Sequence, residues 1–86
     1  LHRLPEPLDR LVFDQAVNAG GTAAVKLLQR AINVAAGALL KPDGVLGPKT
    51  LAALDSALRR PGVGMPVVIG HFRYLVANRY QRIVDA

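Results

Sequence analysis

Carboxylates and histidines are the side chains of this sequence best suited to acid–base chemistry, and few are placed for it. The chain has six acidic residues and two histidines, and Glu6 is its only glutamate. Glu6 stands between two prolines, which predicts an exposed, extended segment, whereas a general acid that works near neutral pH needs burial. His2 lies near the chain start and His71 on the polar side of a predicted helix. With no cysteine, phosphate-binding loop or Ser-His-Asp set, the sequence predicts no catalytic group, metal site or cofactor.

Two charges, Asp9 and Arg79, fall on or beside the apolar sides of their predicted helices when residues are placed 100° apart. Inward-facing charges usually pair, because an unpaired buried charge is costly. We therefore expect an ion pair between Arg79 and either Asp9 or Asp14. The alternative is that Arg79 faces a substrate in a cleft.

The positive charge of the chain is concentrated late in the sequence. The formal net charge is +5, and five arginines follow residue 58 against Asp85 alone. Arg73 and Arg82 fall on different sides of their helix, and no polar recognition helix is evident. The pattern favours a solvated basic surface and predicts no nucleic-acid partner.

Four segments have the 3.6-residue period of amphipathic helices, and no alternating strand pattern of useful length occurs. They span about Pro7–Asn18, Ala23–Ala36, Pro48–Arg60 and Met65–Asp85. The sequence therefore predicts an all-α protein.

Glycine and threonine punctuate the junction between the first two helices. Gly20 and Gly21 are expected to end the first helix, and Thr22 to cap the second. The second helix is apolar over most of its surface, so we expect it to lie at the centre. Its polar stripe is narrow and consists of Lys26, Gln29, Arg30 and Asn33.

The segment 37–47 connects the second and third helices. Pro42, Asp43 and Gly44 form a strong turn signal, and Val45 and Leu46 are expected to enter the core. Pro48 suits the first position of a helix. The expected buried faces of the last two helices are Leu51, Leu54 and Leu58, and Ile69, Phe72, Val76 and Ile83.

Length and composition predict one small domain over residues 1–86 with a thin core. Apolar residues make up 51% of the chain, which is typical of a globular domain. No apolar stretch approaches the roughly 20 residues of a membrane span, and no signal peptide is visible.

Longer motifs carry a resemblance to a known family. Leu4-Pro5-Glu6-Pro7 precedes "FDQAVNAGG" and "AVKLLQRAINV", and "DGVLGPKTLAAL" follows from Asp43. In this order they closely resemble the C-terminal peptidoglycan-binding part of glycoside hydrolase family 108, a family of lysozyme-like proteins of bacteria and phages. The pattern Asp-Gly-x-x-Gly-Pro-x-Thr is also similar to that of other small helical peptidoglycan-binding modules. The last stretch, "FRYLVANRYQRIVDA", resembles the family's final helix.

The resemblance implies a fold, a function and a cellular setting. The fold would be a small four-helix orthogonal bundle, the C-terminal lobe of a lysozyme-like fold. The function would be to bind peptidoglycan as part of a cell-wall hydrolase of the N-acetylmuramidase type, with an N-terminal catalytic lobe as partner. The setting would be the bacterial envelope or periplasm, or the cytoplasm before phage release.

The sequence also departs from the family pattern. The family's catalytic glutamate lies in a Glu-Gly-Gly context in an N-terminal half, and its usual Gly-Trp-x-x-Arg segment follows the region matched here. This chain has neither, has no tryptophan, and begins with Leu1. We therefore expect a piece of a longer hydrolase that is inactive alone, or at most supplies a second carboxylate such as Asp14.

The matching motifs supply the candidate binding residues. Asp14 and Asn18 lie one helical turn apart and could bond sugar hydroxyls or N-acetyl groups, or could equally brace neighbouring helices. Gln29, Asp43 and Thr50 complete the predicted binding set. Gly44, Gly47 and Pro48 are expected to be mainly structural, as is Arg79.

A different class of function stays open. A lobe cut from a larger protein exposes an apolar face, which could dimerise or dock on a protein partner. This alternative predicts a non-catalytic interaction or dimerisation domain.

Overall fold

The computed structural model describes residues 4–85, and their side chains as far as residue 78. Four α-helices follow one another: α1 (Leu8–Ala19), α2 (Gly21–Ala36), α3 (Pro48–Arg59) and α4 (Gly64–Asp85). No strand occurs within residues 4–85. The all-α prediction is confirmed, and the helix bounds agree with the predicted ones to within about two residues.

A single residue, Gly20, separates α1 from α2. Its φ of 94° lies in the region that favours glycine, and its N–H closes α1 by donating to the carbonyl of Ala16 at 2.8 Å. Because the chain turns so sharply, α2 starts at once at Gly21 and has no side-chain cap. The prediction that Thr22 caps α2 is therefore wrong, since Thr22 lies inside the first turn.

Helix α2 lies at the centre and packs against each of the other three helices. Its broad apolar surface explains this position, as the sequence predicts. Together with neighbouring helices it forms one core of buried apolar residues: Leu4, Leu8, Val12, Ala24, Leu27, Leu28, Ala31, Ile32, Leu54, Ala57, Val68 and Phe72.

The buried faces of α3 and α4 differ in part from the predicted ones. On α3, Leu54 is buried together with Thr50 and Ala57. Leu51 and Leu58 are only half-buried, although both pack against the core. On α4, Phe72 is buried with Val68, while Ile69 and Val76 are half-buried. The side chain of Ile83 lies outside the described residues.

Several large apolar side chains are exposed rather than buried in the core. Val45 is 61% exposed, so the prediction that it enters the core is wrong, whereas Leu46 packs against the core as predicted. Phe13 and Val17, one turn apart on α1, are also exposed. They form an apolar pair on the outer side of α1.

The segment before α1 is held by Asp9. Its Oδ1 accepts the Leu4 N–H at 3.1 Å, and Leu4 is buried in the core. The predicted ion pair of Arg79 with Asp9 or Asp14 involves a side chain outside the described residues, so it stays a prediction.

None of the helices in the described part of the chain is both long and apolar enough to traverse a bilayer.

Candidate functional site

The connector between α2 and α3 is fastened to α2 by the side-chain amide of Gln29. Its nitrogen has two hydrogens to donate and lies within hydrogen-bond distance of three acceptors: Asp43 Oδ1 at 3.0 Å, the Val45 carbonyl at 3.0 Å and Thr50 Oγ1 at 2.9 Å. Its oxygen accepts the Gly44 N–H at 3.0 Å. Gln29 is only 1% exposed, so the prediction that it lies on a solvated stripe is wrong.

Asp43 shapes the turn of the connector. Its Oδ1 also accepts the Val45 N–H at 2.9 Å, an Asx-type turn. The hydrogen bond from Val45 and the one from Gln29 hold the pKa of the Asp43 carboxyl below its ordinary value of 3.8. Because Asp43 is exposed, its second oxygen remains open to solvent.

Thr50 links the connector to the first turn of α3. It is 4% exposed, accepts from Gln29 and lies with its Oγ1 3.4 Å from the Val45 carbonyl. Gly47 is the N-cap of α3 and Pro48 its first residue. The hydroxyl of Thr50 therefore joins α3 both to Gln29 of α2 and to Val45 of the connector.

Gly44 is the position where the connector touches the start of α2. Its φ is +79°, and a Cβ built there would collide with the methyl group of Thr22 and lie 3.0 Å from the Thr22 carbonyl oxygen. Only glycine fits this approach without strain. We name the residues Gln29, Asp43, Gly44 and Thr50 the connector lock.

The other predicted binding residues, Asp14 and Asn18, lie apart from this lock. Both are exposed on α1, and Asn18 Nδ2 donates to the Asp14 backbone carbonyl at 3.1 Å. Both the Asp14 side chain and the Asn18 side chain are exposed, so their oxygens can reach solvent. The structure thus brings Gln29, Asp43 and Thr50 together and does not bring Asp14 and Asn18 to them.

A groove of about 730 Å³ opens between the start of α2 and the later part of α4. We name it the basic groove, because Lys26 and Arg30 line it. Asn78 faces it from α4, and the junction of α1 with α2 forms its end. Its described lining consists of Ala19, Gly20, Gly21, Thr22, Ala23, Lys26, Leu27, Arg30, Leu75 and Asn78.

No carboxylate belongs to this described lining. The ion pair found among the described side chains joins Arg59 to Asp55, on α3. Lys26 and Arg30 are one turn apart, a like-charge spacing that costs a helix about 0.2–0.5 kcal/mol. The first backbone N–H groups of an uncapped helix add positive potential at the same end.

A second groove, of about 510 Å³, lies further along the same two helices. We name it the apolar groove; its lining consists of Val34, Val67, Gly70, His71, Tyr74 and Leu75. Tyr74 is 63% exposed, so part of its ring is available for contact. Leu75 lines both grooves, so they are adjacent at this residue. His71 is half-buried, although its helix position predicts a solvated side chain.

Gly70 contributes to the open shape of the apolar groove. A Cβ at Gly70 would meet no heavy atom within 4 Å. Close helix packing therefore does not explain this glycine.

Sequence reasoning did not single out these two grooves. Lys26 and Arg30 fall in the predicted polar stripe of α2, and Tyr74 stands among the few aromatic residues. One signal was available in the sequence: neither cation has an acidic residue three or four positions away on its helix. The pairing of α2 with α4 that forms the grooves is a tertiary property.

Catalytic and metal-binding groups are sparse in the described part of the chain. Glu6 is exposed, as its two flanking prolines predict, but it lies in a turn and not in the predicted extended segment. Among the residues described, no three His, Cys, Asp or Glu side chains are grouped so that they could hold a metal ion.

Comparison with known proteins returned no match to a family model, to a curated protein or to a solved structure.

Proposed function

We propose that this chain is a peptidoglycan-binding module and that the wall polymer lies along the groove between α2 and α4. The observation that carries the proposal is that the basic and apolar grooves both lie between α2 and α4 and share Leu75 in their linings. Their volumes fall in the range of about 300–1,000 Å³ that is usual for ligand sites. The motif resemblance supports the same function independently of the grooves.

The two ends of this groove suit the two parts of peptidoglycan. The polymer joins N-acetylated sugars to short peptides that carry carboxylates and amides. Lys26, Arg30 and Asn78 supply donors at one end, and Tyr74 supplies an exposed aromatic face at the other. Exposed aromatic faces are common stacking platforms for sugar rings.

In this proposal Asp14 and Asn18, which are exposed on α1, supply further polar groups beyond the groove. The last residue of α1, Ala19, lines the basic groove, so a long polymer that leaves the groove at this end reaches α1. Their exposed oxygens and amide suit sugar hydroxyls and N-acetyl groups. In this proposal Gln29 and Thr50 act by holding α3 against α2, and Asp43 offers its second oxygen at the periphery.

The finer fold and the setting belong to the same proposal. The four helices would form the orthogonal C-terminal lobe of a lysozyme-like fold, partnered by an N-terminal catalytic lobe in a longer N-acetylmuramidase-like hydrolase. The module would then act in the bacterial envelope or periplasm, or after phage release from the cytoplasm. The glycosidic bond would be cleaved with the other lobe's glutamate, since glycan hydrolysis normally uses a carboxyl group on each side of the bond.

Sedimentation with purified sacculi tests the proposal. We expect the wild-type chain to sediment with sacculi and Tyr74→Ala to bind about fivefold more weakly, on the order of one aromatic contact. Phe13→Ala is the matched control, because Phe13 is similarly exposed (57%) but lies on α1 outside the groove. A wild-type chain that stays in the supernatant contradicts the proposal.

The apolar pair Phe13 and Val17 supports a second candidate function. Two exposed apolar side chains one turn apart on α1 could pair with a second copy or a partner helix. Such a protein-interaction domain would show concentration-dependent self-association in sedimentation velocity, and the double substitution Phe13→Ser, Val17→Ser would abolish it. A monomer at all concentrations contradicts the self-association.

A further inference from the structure

We propose that Lys26 and Arg30 form a carboxylate subsite, which makes the module select peptidoglycan that carries peptide stems over the bare sugar chain. This inference rests on the proposed function and deepens it. It assigns a ligand chemistry to one end of the groove, the end farther from Tyr74.

The geometry of α2 places the two cations together. Residues four apart rise about 6 Å along a helix and share one face, so these long side chains can converge on one group. Both are exposed and line the same groove. An arginine fork binds a carboxylate through two parallel hydrogen bonds, and a lysine adds a point charge with three donors.

Charge complementarity identifies the occupant as an anion. The described lining of the basic groove holds two cations and no carboxylate, and Asn78 faces it from α4 with both a donor and an acceptor. A peptide stem offers carboxylates beside amide groups, which matches this combination of two charges and one side-chain amide. Phosphates of nucleic acid share the charge, but the described lining of this groove has no aromatic side chain on which bases could stack.

The size of the groove favours a small ligand over a folded protein. A specific protein–protein interface uses roughly 20–30 residues on each side, many more than the described lining provides. The groove volume of about 730 Å³ instead suits a short peptide or a few sugar units.

Binding of one soluble fragment in two chemical forms tests the inference. The probes are a disaccharide tetrapeptide of peptidoglycan and the same molecule with its carboxyl groups converted to amides. We expect the wild-type chain to bind the acid form about tenfold more tightly, the effect of two partly exposed ion pairs. The double variant Lys26→Gln, Arg30→Gln should lose this preference.

A matched double variant controls for net charge. Arg10→Gln with Lys49→Gln also removes two positive charges, and both residues are exposed and absent from the described groove lining. We expect it to keep the preference for the acid form. Loss of the preference in this control to the same extent would overturn the inference, because overall charge would then explain the selectivity.

The remaining outcomes separate the inference from the proposed function. Wild-type chain that sediments with sacculi but shows no preference for the acid form overturns the carboxylate subsite alone. Failure to sediment with sacculi overturns the proposed function as well. The wild-type chain could instead bind a single-stranded oligonucleotide as tightly as the acid form of the fragment, and the Lys26, Arg30 variant could lose that binding. This outcome would overturn the peptide stem as occupant and identify a general phosphate site.

Discussion

The connector lock and the basic groove both include residues of α2, but the α2 side chain of the lock is bonded within the chain, whereas those of the groove are exposed. In the lock, the Gln29 amide is buried and its nitrogen and oxygen both have partners within the chain. In the groove, Lys26 and Arg30 share one face with no carboxylate in the described lining. The first arrangement stabilises the fold, and the second leaves hydrogen-bonding capacity for a ligand.

This contrast shows why a motif does not by itself identify a binding site. The Asp-Gly-x-x-Gly-Pro-x-Thr motif contributes Asp43, Gly44 and Thr50 to the lock, where their contacts fix the connector between α2 and α3. The residues that the structure exposes in a groove lie outside this motif. Substitutions in the two regions should therefore affect different measurements.

The largest effect on stability is expected from Gln29→Ala. Removing the amide leaves polar partners in the lock without a hydrogen bond, which should lower the free energy of unfolding by about 3 kcal/mol. For a domain of this size, that shifts Tm downward by more than about 10 °C. Asn18→Ala on exposed α1 is the control and should change stability by less than about 0.5 kcal/mol. Equal melting curves for the two variants would contradict the buried network.

Gly44→Ala should lower the free energy of unfolding by about 2 kcal/mol, because the φ of residue 44 is positive and the added Cβ would collide with Thr22. Gly37→Ala is a matched control: Gly37 has a φ of +67°, but its Cβ would meet nothing within 4 Å. Chemical denaturation of both variants separates the two causes. If Gly37→Ala is as destabilising as Gly44→Ala, the close approach to Thr22 has no energetic weight.

A smaller effect is expected from the titration of Asp43. Its pKa is lowered in the folded state, so the stabilisation is present above the unfolded pKa, near 3.8, and is lost as pH falls through the folded value. Asp43→Asn keeps an oxygen that can accept from Val45 and Gln29 but does not titrate. We expect its stability to fall less than that of the wild type between pH 5 and about 2, measured by thermal unfolding. Identical pH profiles would contradict a lowered pKa at Asp43.

The smallest effect on stability is expected from substitutions in the basic groove, and these should stabilise the protein. Lys26→Gln combined with Arg30→Gln removes a like-charge pair and should raise the free energy of unfolding by about 0.3 kcal/mol at low salt. Urea denaturation at low and high ionic strength would reveal this difference as salt-dependent. A loss of more than about 1 kcal/mol would show that the two cations serve the fold.

Hydrophobic periodicity predicts much of this fold, and tertiary contact explains the rest. The four helices and the central position of α2 follow from apolar spacing. The start of α2 at Gly21 does not follow from apolar spacing. Thr22 matches the pattern of an N-cap, but in the structure Gly20 is the single residue between α1 and α2. The exposure of Val45 could not be predicted from the sequence either. It depends on the hydrogen bonds of Gln29 to the Gly44 N–H and to the Val45 carbonyl, which hold this backbone against α2.

The candidate site was less accessible to sequence reasoning for a related reason. Gln29 has the spacing of a solvated residue, and only the folded connector shows that it is enclosed. Tyr74 and Lys26 belong to different helices, and nothing in the local sequence places them along one groove. Their relation arises from the packing of α2 against α4.

Chemical-shift mapping by NMR is the most direct test of the claim that the α2–α4 groove binds peptidoglycan. The soluble disaccharide tetrapeptide would be titrated into the wild-type chain. Our account predicts the largest amide shifts at Lys26, Arg30, Tyr74 and Leu75, with small changes at Asp43 and Thr50. Shifts centred on the connector lock, with none along the groove, would contradict it.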